Sequence, residues 1–229
     1  MFDRIQFKHV AKDIVRKRFM EMATISFLWY LIVLTFVSFT IDTEKMIVDV
    51  NIFGYIATTL YWEEATTYIR IFSLLLIIYT ILIKMPFEAG LRRYYCKVIE
   101  GKASLSEFLS GFKNGYSRTM ATLVVRDIFT ILGFFLLIIP GISKYYGYRW
   151  VPYLLQDEPE MTTMEILRKS EEMMQGYKMA MFFLDLSFLP FSFLDYLTGG
   201  VTSIYSIPYQ SLTEAQVYLF LREKNKGVV

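Results

Sequence analysis

Apolar blocks of about a bilayer's thickness, separated by short charged connections, constrain this chain more than any other feature. Leu136-Leu-Ile-Ile-Pro-Gly-Ile142 closes one such block and opens the next. A continuous apolar helix ends at a Pro-Gly pair. With hydrocarbon-like sequence on both sides, the pair at Pro140-Gly141 reads as a hairpin corner between two membrane segments. About 20 consecutive apolar residues suffice for a helix to cross a bilayer. On that criterion the spans fall at about 22–41, 68–87, 120–139, 142–156, 179–197 and 201–221, with breaks at Pro86, Pro140, Gly141 and Pro208. The 142–156 stretch, with Lys144, Arg149 and Pro152, is the most mixed, and fits either a tilted span or an interfacial helix. The expected fold is all-α: a polytopic bundle of six transmembrane helices in one integral membrane domain covering residues 1–229.

The polar segments refine this picture. Residues 1–20 place Arg4, Lys8, Lys12 and Arg16 among Phe2, Ile5, Val10 and Ile14, the pattern of a basic amphipathic helix on the inner membrane surface. Residues 42–67 form an acidic connection with aromatic residues at Tyr61 and Trp62. In 88–119, the most basic connection, Ser104 and Glu107 have the spacing of a capping box. Gly111 and Gly115 share the spacing of a helix-dimerisation pair, but their polar setting favours a loop turn. Residues 161–178 alternate Ile166, Leu167, Met173 and Met174 with charged residues, as in an amphipathic helix.

Lys and Arg set the orientation, because they are held on the cytoplasmic side. With the N-terminus inside, eighteen fall on that side and two on the other. The bias supports cytoplasmic N- and C-termini and an even number of spans.

Arg126, Asp127, Arg149, Asp185 and Glu214 fall within the expected spans. At about 1.5 Å per residue they lie roughly 10–12 Å from the inner boundary, on four helices. An unpaired charge at the bilayer centre costs about 2.5–3.5 kcal/mol on the most lenient scale. These groups are therefore expected to form one charged layer, with Arg149 bridging Asp185 and Arg126 beside Glu214 or Asp127. The layer reads either as a structural ion network or as a substrate or proton site. Exchanging Arg149 and Asp185 should then recover part of the loss caused by either single change.

Composition removes other chemistry. One histidine, His9, and one cysteine, Cys96, leave no basis for a His or Cys metal site, an internal disulfide or a Ser-His-Asp triad. No nucleotide-binding glycine motif or HExxH occurs. No cofactor or metal and no catalytic residue is expected, and nucleic acid is not an expected partner. The basic loops fit topology and attraction to anionic lipid.

From Pro86 onward the chain resembles a bacterial family of integral membrane proteins, domain of unknown function nine hundred and seventy-five. The resemblance rests on an ordered series: Pro86-Phe-Glu-Ala-Gly90, Ile138-Ile-Pro-Gly-Ile142, Asp157-Glu-Pro159, Ser170 to Lys178, Leu184-Asp-Leu-Ser-Phe188, Ile207-Pro-Tyr209 and Tyr218-Leu-Phe220. It implies a multi-pass protein of the cytoplasmic membrane in a Gram-positive-type bacterium. It also implies a distant likeness to membrane domains attached to some glycerophosphodiester phosphodiesterases, whose catalytic domain this chain does not carry. The first functional reading is a non-catalytic interaction or assembly factor that binds a membrane or cytoplasmic protein partner or anionic lipid. The alternative is a small transporter or permease-like subunit using the charged layer. An intramembrane enzyme acting on lipids ranks third. A water-filled cavity reaching Arg149 and Asp185 would put the transporter reading first.

Overall fold

The structure is a computed structural model that describes residues 2–32, 74–113 and 115–227. The acidic connection at 42–67, the second half of the expected first span and the start of the second lie outside these residues. Regular structure among the described residues is helical throughout. Among the described residues, three stretches are long and apolar enough to cross a membrane: α3 (Leu74–Ile99), α6 (Tyr116–Leu136) and the pair Lys178–Leu197. The apolar helix α2 (Phe19–Ile32) is shorter within the described range.

The placement of the apolar residues is compatible with lipid-like surroundings. Leu74, Ile77, Ile131, Phe135, Ile139, Phe193 and Leu197 lie on the outside, with Phe135 84% exposed. The polar groups Ser206, Ser211, Thr213 and Glu214 are buried. In water this arrangement would oppose the hydrophobic effect; in hydrocarbon it satisfies both sets of residues.

The N-terminal helix α1 (Arg4–Lys17) is capped by Asp3, whose carboxylate accepts from the Ile5 and Gln6 amides. Its apolar face does not rest on lipid alone. Phe7, Ala11 and Val15 are buried, and Phe7 stacks near Phe220 of the last helix at 5.7 Å between ring centroids.

Pro86 does not end the second span. A π-helical turn at Thr80–Lys84 leads into Met85–Ile99 without interruption, so α3 passes through the proline. Proline cannot donate to the carbonyl four residues back. Here that carbonyl, Leu82, accepts the Tyr116 hydroxyl at 2.8 Å, which offsets the loss. The basic segment beginning at Glu88 is thus the continuation of a membrane helix.

Two short helices, α4 (Leu105–Phe108) and α5 (Ser110–Lys113), fold back onto α3. Ser104 caps α4 as expected, but Glu107 completes no capping box and pairs with Arg93. Gly111 is a close-approach site rather than a loop turn, while Gly115 is left-handed at φ 66° and starts α6. A Cβ on Gly90 would overlap the Phe108 carbonyl, and one on Gly111 the Pro86 carbonyl.

The corner after α6 also differs from expectation. The break is at Leu137, which is extended, and Pro140 and Gly141 lie inside the next helix, α7 (Ile138–Gly147). In the first turn a proline lacks only an amide that has no intrahelical partner. The helix α8 (Val151–Asp157) follows, so the 142–156 stretch is two short helices separated at Tyr148–Trp150. Next comes α9 (Thr163–Met173), which opens with a complete Thr162–Glu165 capping box. Hydrogen bonds from the Thr162 amide and hydroxyl hold the Glu165 carboxyl below its usual range, so this cap is present at neutral pH and lost on acidification.

The expected fifth span consists of α10 (Lys178–Leu186) and α11 (Leu189–Leu197), separated by a tight turn at Ser187 and Phe188. Gly199 and Gly200, at φ 60° and 88°, reverse the chain. The last helix, α12 (Ser203–Asn225), contains Pro208 in its interior rather than ending or restarting there. It is buried along most of its length against α1, α3 and α11. That position explains why its sequence is less apolar than a lipid-facing span.

Gly90→Ala or Gly111→Ala should each cost about 1–3 kcal/mol, as overpacking does. Thermal unfolding in detergent should show both losses, whereas Gly147→Ala, whose Cβ would meet only ordinary contacts of 3.5 Å or more, should leave the midpoint unchanged.

Candidate functional site

Five elements direct ionised side chains to one interior region. Glu88 and Arg92 are four residues apart on α3 and share a face. Arg126 and Asp127 come from α6, Asp185 from α10, and Gln210 and Glu214 from successive turns of α12. Arg149 comes from the break between α7 and α8.

That break is held by α9. The Ser170 hydroxyl donates to the Gly147 carbonyl at 2.7 Å and accepts from the Trp150 amide at 3.2 Å. One side chain thereby satisfies two backbone groups left over by the ends of adjoining helices. Trp150 is completely buried and packs against Tyr153 and Tyr218. With neighbours fixed on both sides, Arg149 projects into the bundle.

The Arg149 guanidinium makes two hydrogen bonds to Asp185, at 2.6 and 2.8 Å, and a third to Glu214 at 2.8 Å. Arg149 is 12% exposed and Glu214 4%. Glu214 also binds Arg92 and accepts from Gln210 at 3.3 Å. Asp185 accepts the Tyr146 hydroxyl at 3.0 Å. On the other side, Arg126 pairs with Glu88 at 3.2 Å and with its neighbour Asp127 at 2.8 Å. The structure therefore brings Arg149, Asp185 and Glu214 into one network. It places Arg126 beside Asp127 and Glu88, not beside Glu214.

Glu88 and Arg92 are absent from the charged layer expected from sequence, because a break at Pro86 puts both residues outside the second span. Their four-residue spacing on an uninterrupted apolar helix was the available signal. Asp195 is a further carboxylate in the expected fifth span. It lies at the far end, where the hydroxyls of Thr202 and Ser206 bind it, the latter at 2.6 Å, and it serves the Gly199-Gly200 reversal. Cys96 is buried, which removes it as a modification site.

These charges do not close on one another completely. They line a cavity of about 410 Å³, together with Thr130, Tyr145, Tyr148, Phe188 and Ser192. Three guanidinium groups face four carboxylates in it, leaving one negative charge in excess. No group of three or more His, Cys, Asp and Glu with metal-holding geometry occurs among the described residues.

Residues 128–225 match a family model described as Protein of unknown function (DUF975). Over this region the chain is similar to that family. The matched part carries Arg149, Asp185 and Glu214, while Glu88, Arg92, Arg126 and Asp127 precede it. Comparison with curated proteins and with solved structures gives no match.

The three-way contact at Arg149 changes the outcome expected of charge exchange. Arg149→Asp with Asp185→Arg would set a carboxylate at position 149 against Glu214, so the double variant should show no recovery. Glu214→Gln removes a partner from two arginines and should cost about 3–5 kcal/mol, the range for breaking a buried ion pair. Asp185→Asn, which leaves Glu214 on Arg149, should cost less. Equilibrium unfolding of the three variants in detergent measures the order.

Proposed function

We propose that this protein is a multi-pass protein of the bacterial cytoplasmic membrane that binds a charged small molecule or headgroup within its bundle, as a carrier or permease-like component and not as an enzyme. The observation that carries this reading is the cavity of about 410 Å³ bounded by Arg149, Asp185 and Glu214. A network serving only to fix helix register would need no such space. The cavity therefore favours the transport-type reading over the assembly-factor reading.

Two features support it. Both α7–α8 and α10–α11 are interrupted helices, at Tyr148–Trp150 and at Ser187–Phe188, and both border the cavity. Interrupted helices facing an interior site are a recurrent feature of secondary transporters. The cavity carboxylates Glu88, Asp127, Asp185 and Glu214 are all engaged by arginines. That commitment suits electrostatic recognition better than proton transfer to a substrate.

In the proposed topology the chain crosses six times, with both termini cytoplasmic. The crossings are the 22–41 span expected from sequence, α3, α6, the α7–α8 pair, the α10–α11 pair and α12. The distribution of Lys and Arg supports this orientation, and the burial of α12 accounts for a crossing helix of low hydropathy.

Two measurements test the proposal. A reporter fused to the C-terminus should be active on the cytoplasmic side, and an external tail would overturn the even number of crossings. Ser192→Cys, at the exposed mouth of the cavity, should react with a small charged thiol reagent in membrane vesicles, whereas Phe193→Cys, on a residue 62% exposed to the apolar exterior, should not. Buried Cys96 supplies a silent background. An unreactive cysteine at position 192 would identify a dry bundle and favour the assembly role.

A further inference from the structure

A second, apolar cavity adjoins the charged one. It is a groove of about 310 Å³ between the first half of α3 and the middle of α6, lined by residues such as Ile77, Thr80 and Ile81 on one side and Ile128 and Ile131 on the other. The π-helical turn at Thr80–Lys84 forms part of its wall. Asp127 lines both cavities. Ile77, Ile128 and Ile131 are about half exposed, at 54%, 49% and 53%, so the groove opens toward the apolar exterior.

Asp127 is the point of interest. Its carboxylate is 41% exposed and, among the described residues, is paired with Arg126 at 2.8 Å, a guanidinium that it shares with Glu88. A partly uncovered carboxylate beside a hydrocarbon-facing groove is costly. A ligand that supplies a cation at Asp127 and an apolar chain along Ile81 and Ile128 removes that cost and fills the groove. The charged cavity behind it holds three arginines suited to an anion, yet carries one negative charge in excess, which disfavours a purely anionic head.

Building on the proposal that the charged cavity is a ligand site, we infer that the ligand is a zwitterionic phospholipid. It enters sideways from the bilayer, with its ammonium near Asp127, its phosphate among the arginines and an acyl chain in the α3–α6 groove.

The full-length protein can be reconstituted in liposomes with lipids carrying the same photoactivatable acyl chain on one of three heads: phosphoethanolamine, phosphoglycerol, or the uncharged diacylglycerol. Mass spectrometry of the labelled protein locates the attachments. The phosphoethanolamine lipid should label Ile81 and Ile128 at least about fivefold more than exposed Phe135 and Phe193, a difference of about 1 kcal/mol. Ile128→Trp, on an exposed position tolerant of bulk, should abolish the excess, and the other two lipids should show none. Even labelling, or equal groove labelling by all three heads, would overturn the inference. Soluble phosphoethanolamine separates this inference from the reading beneath it. If it protects Ser192→Cys from modification while lipid labelling stays even, the charged site stands and the phospholipid assignment falls. Absence of both protection and groove labelling removes both.

Discussion

The pairing of Arg149 with Asp185 and Glu214 is the contact around which much of the bundle is arranged. A guanidinium removed from water needs both opposite charge and filled hydrogen-bond directions. Here two carboxylates from two helices supply three short hydrogen bonds. The same requirement propagates outward. Glu214 draws in Arg92, and Ser170 of α9 fixes the backbone on both sides of Arg149. A helix lying mainly outside the apolar zone thus sets the geometry of a site within it.

This electrostatic interior is possible because the exterior is apolar. Along α3, α6 and the α10–α11 pair, at most 28% of the most apolar window is buried inside the protein, so most of those side chains are left for lipid. Packing within the bundle relies instead on close backbone approach at Gly90 and Gly111, and on an aromatic cluster around Trp150. Without a hydrophobic difference between protein and lipid, close packing and polar contacts are what hold membrane helices together. The region from 128 to 225 that matches the family model supplies Arg149 and its two carboxylate partners, and α3 and the first part of α6 complete the cavity.

Much of this was legible in the sequence. Lengths of apolar run identified the lipid-facing helices, and a shared depth identified Arg149, Asp185 and Glu214 as candidates for one layer. Proline positions were misleading for a specific reason: a proline's effect depends on whether its missing donor has consequences. At Pro86 a hydroxyl from Tyr116, 34 residues away in sequence, satisfies the freed carbonyl. At Pro140 the donor was dispensable, and an extended Leu137 makes the corner. No local pattern reveals either circumstance. The first error concealed Glu88 and Arg92. The spacing rule that placed Glu107 in a capping box failed similarly, since Arg93 on α3 competes for that carboxylate.

In the proposed arrangement a hydrated, charged cavity lies inside a shell of lipid-facing residues. Spin labels at single cysteines introduced by Thr130→Cys, in the cavity wall, and by Phe135→Cys, 84% exposed on the same helix, test it most directly in a reconstituted bilayer. Accessibility to a water-soluble paramagnetic complex and to oxygen distinguishes aqueous from hydrocarbon surroundings. The label at position 130 should respond to the water-soluble complex and the label at position 135 to oxygen alone. If both respond only to oxygen, the interior is dry and the cavity is not a ligand site.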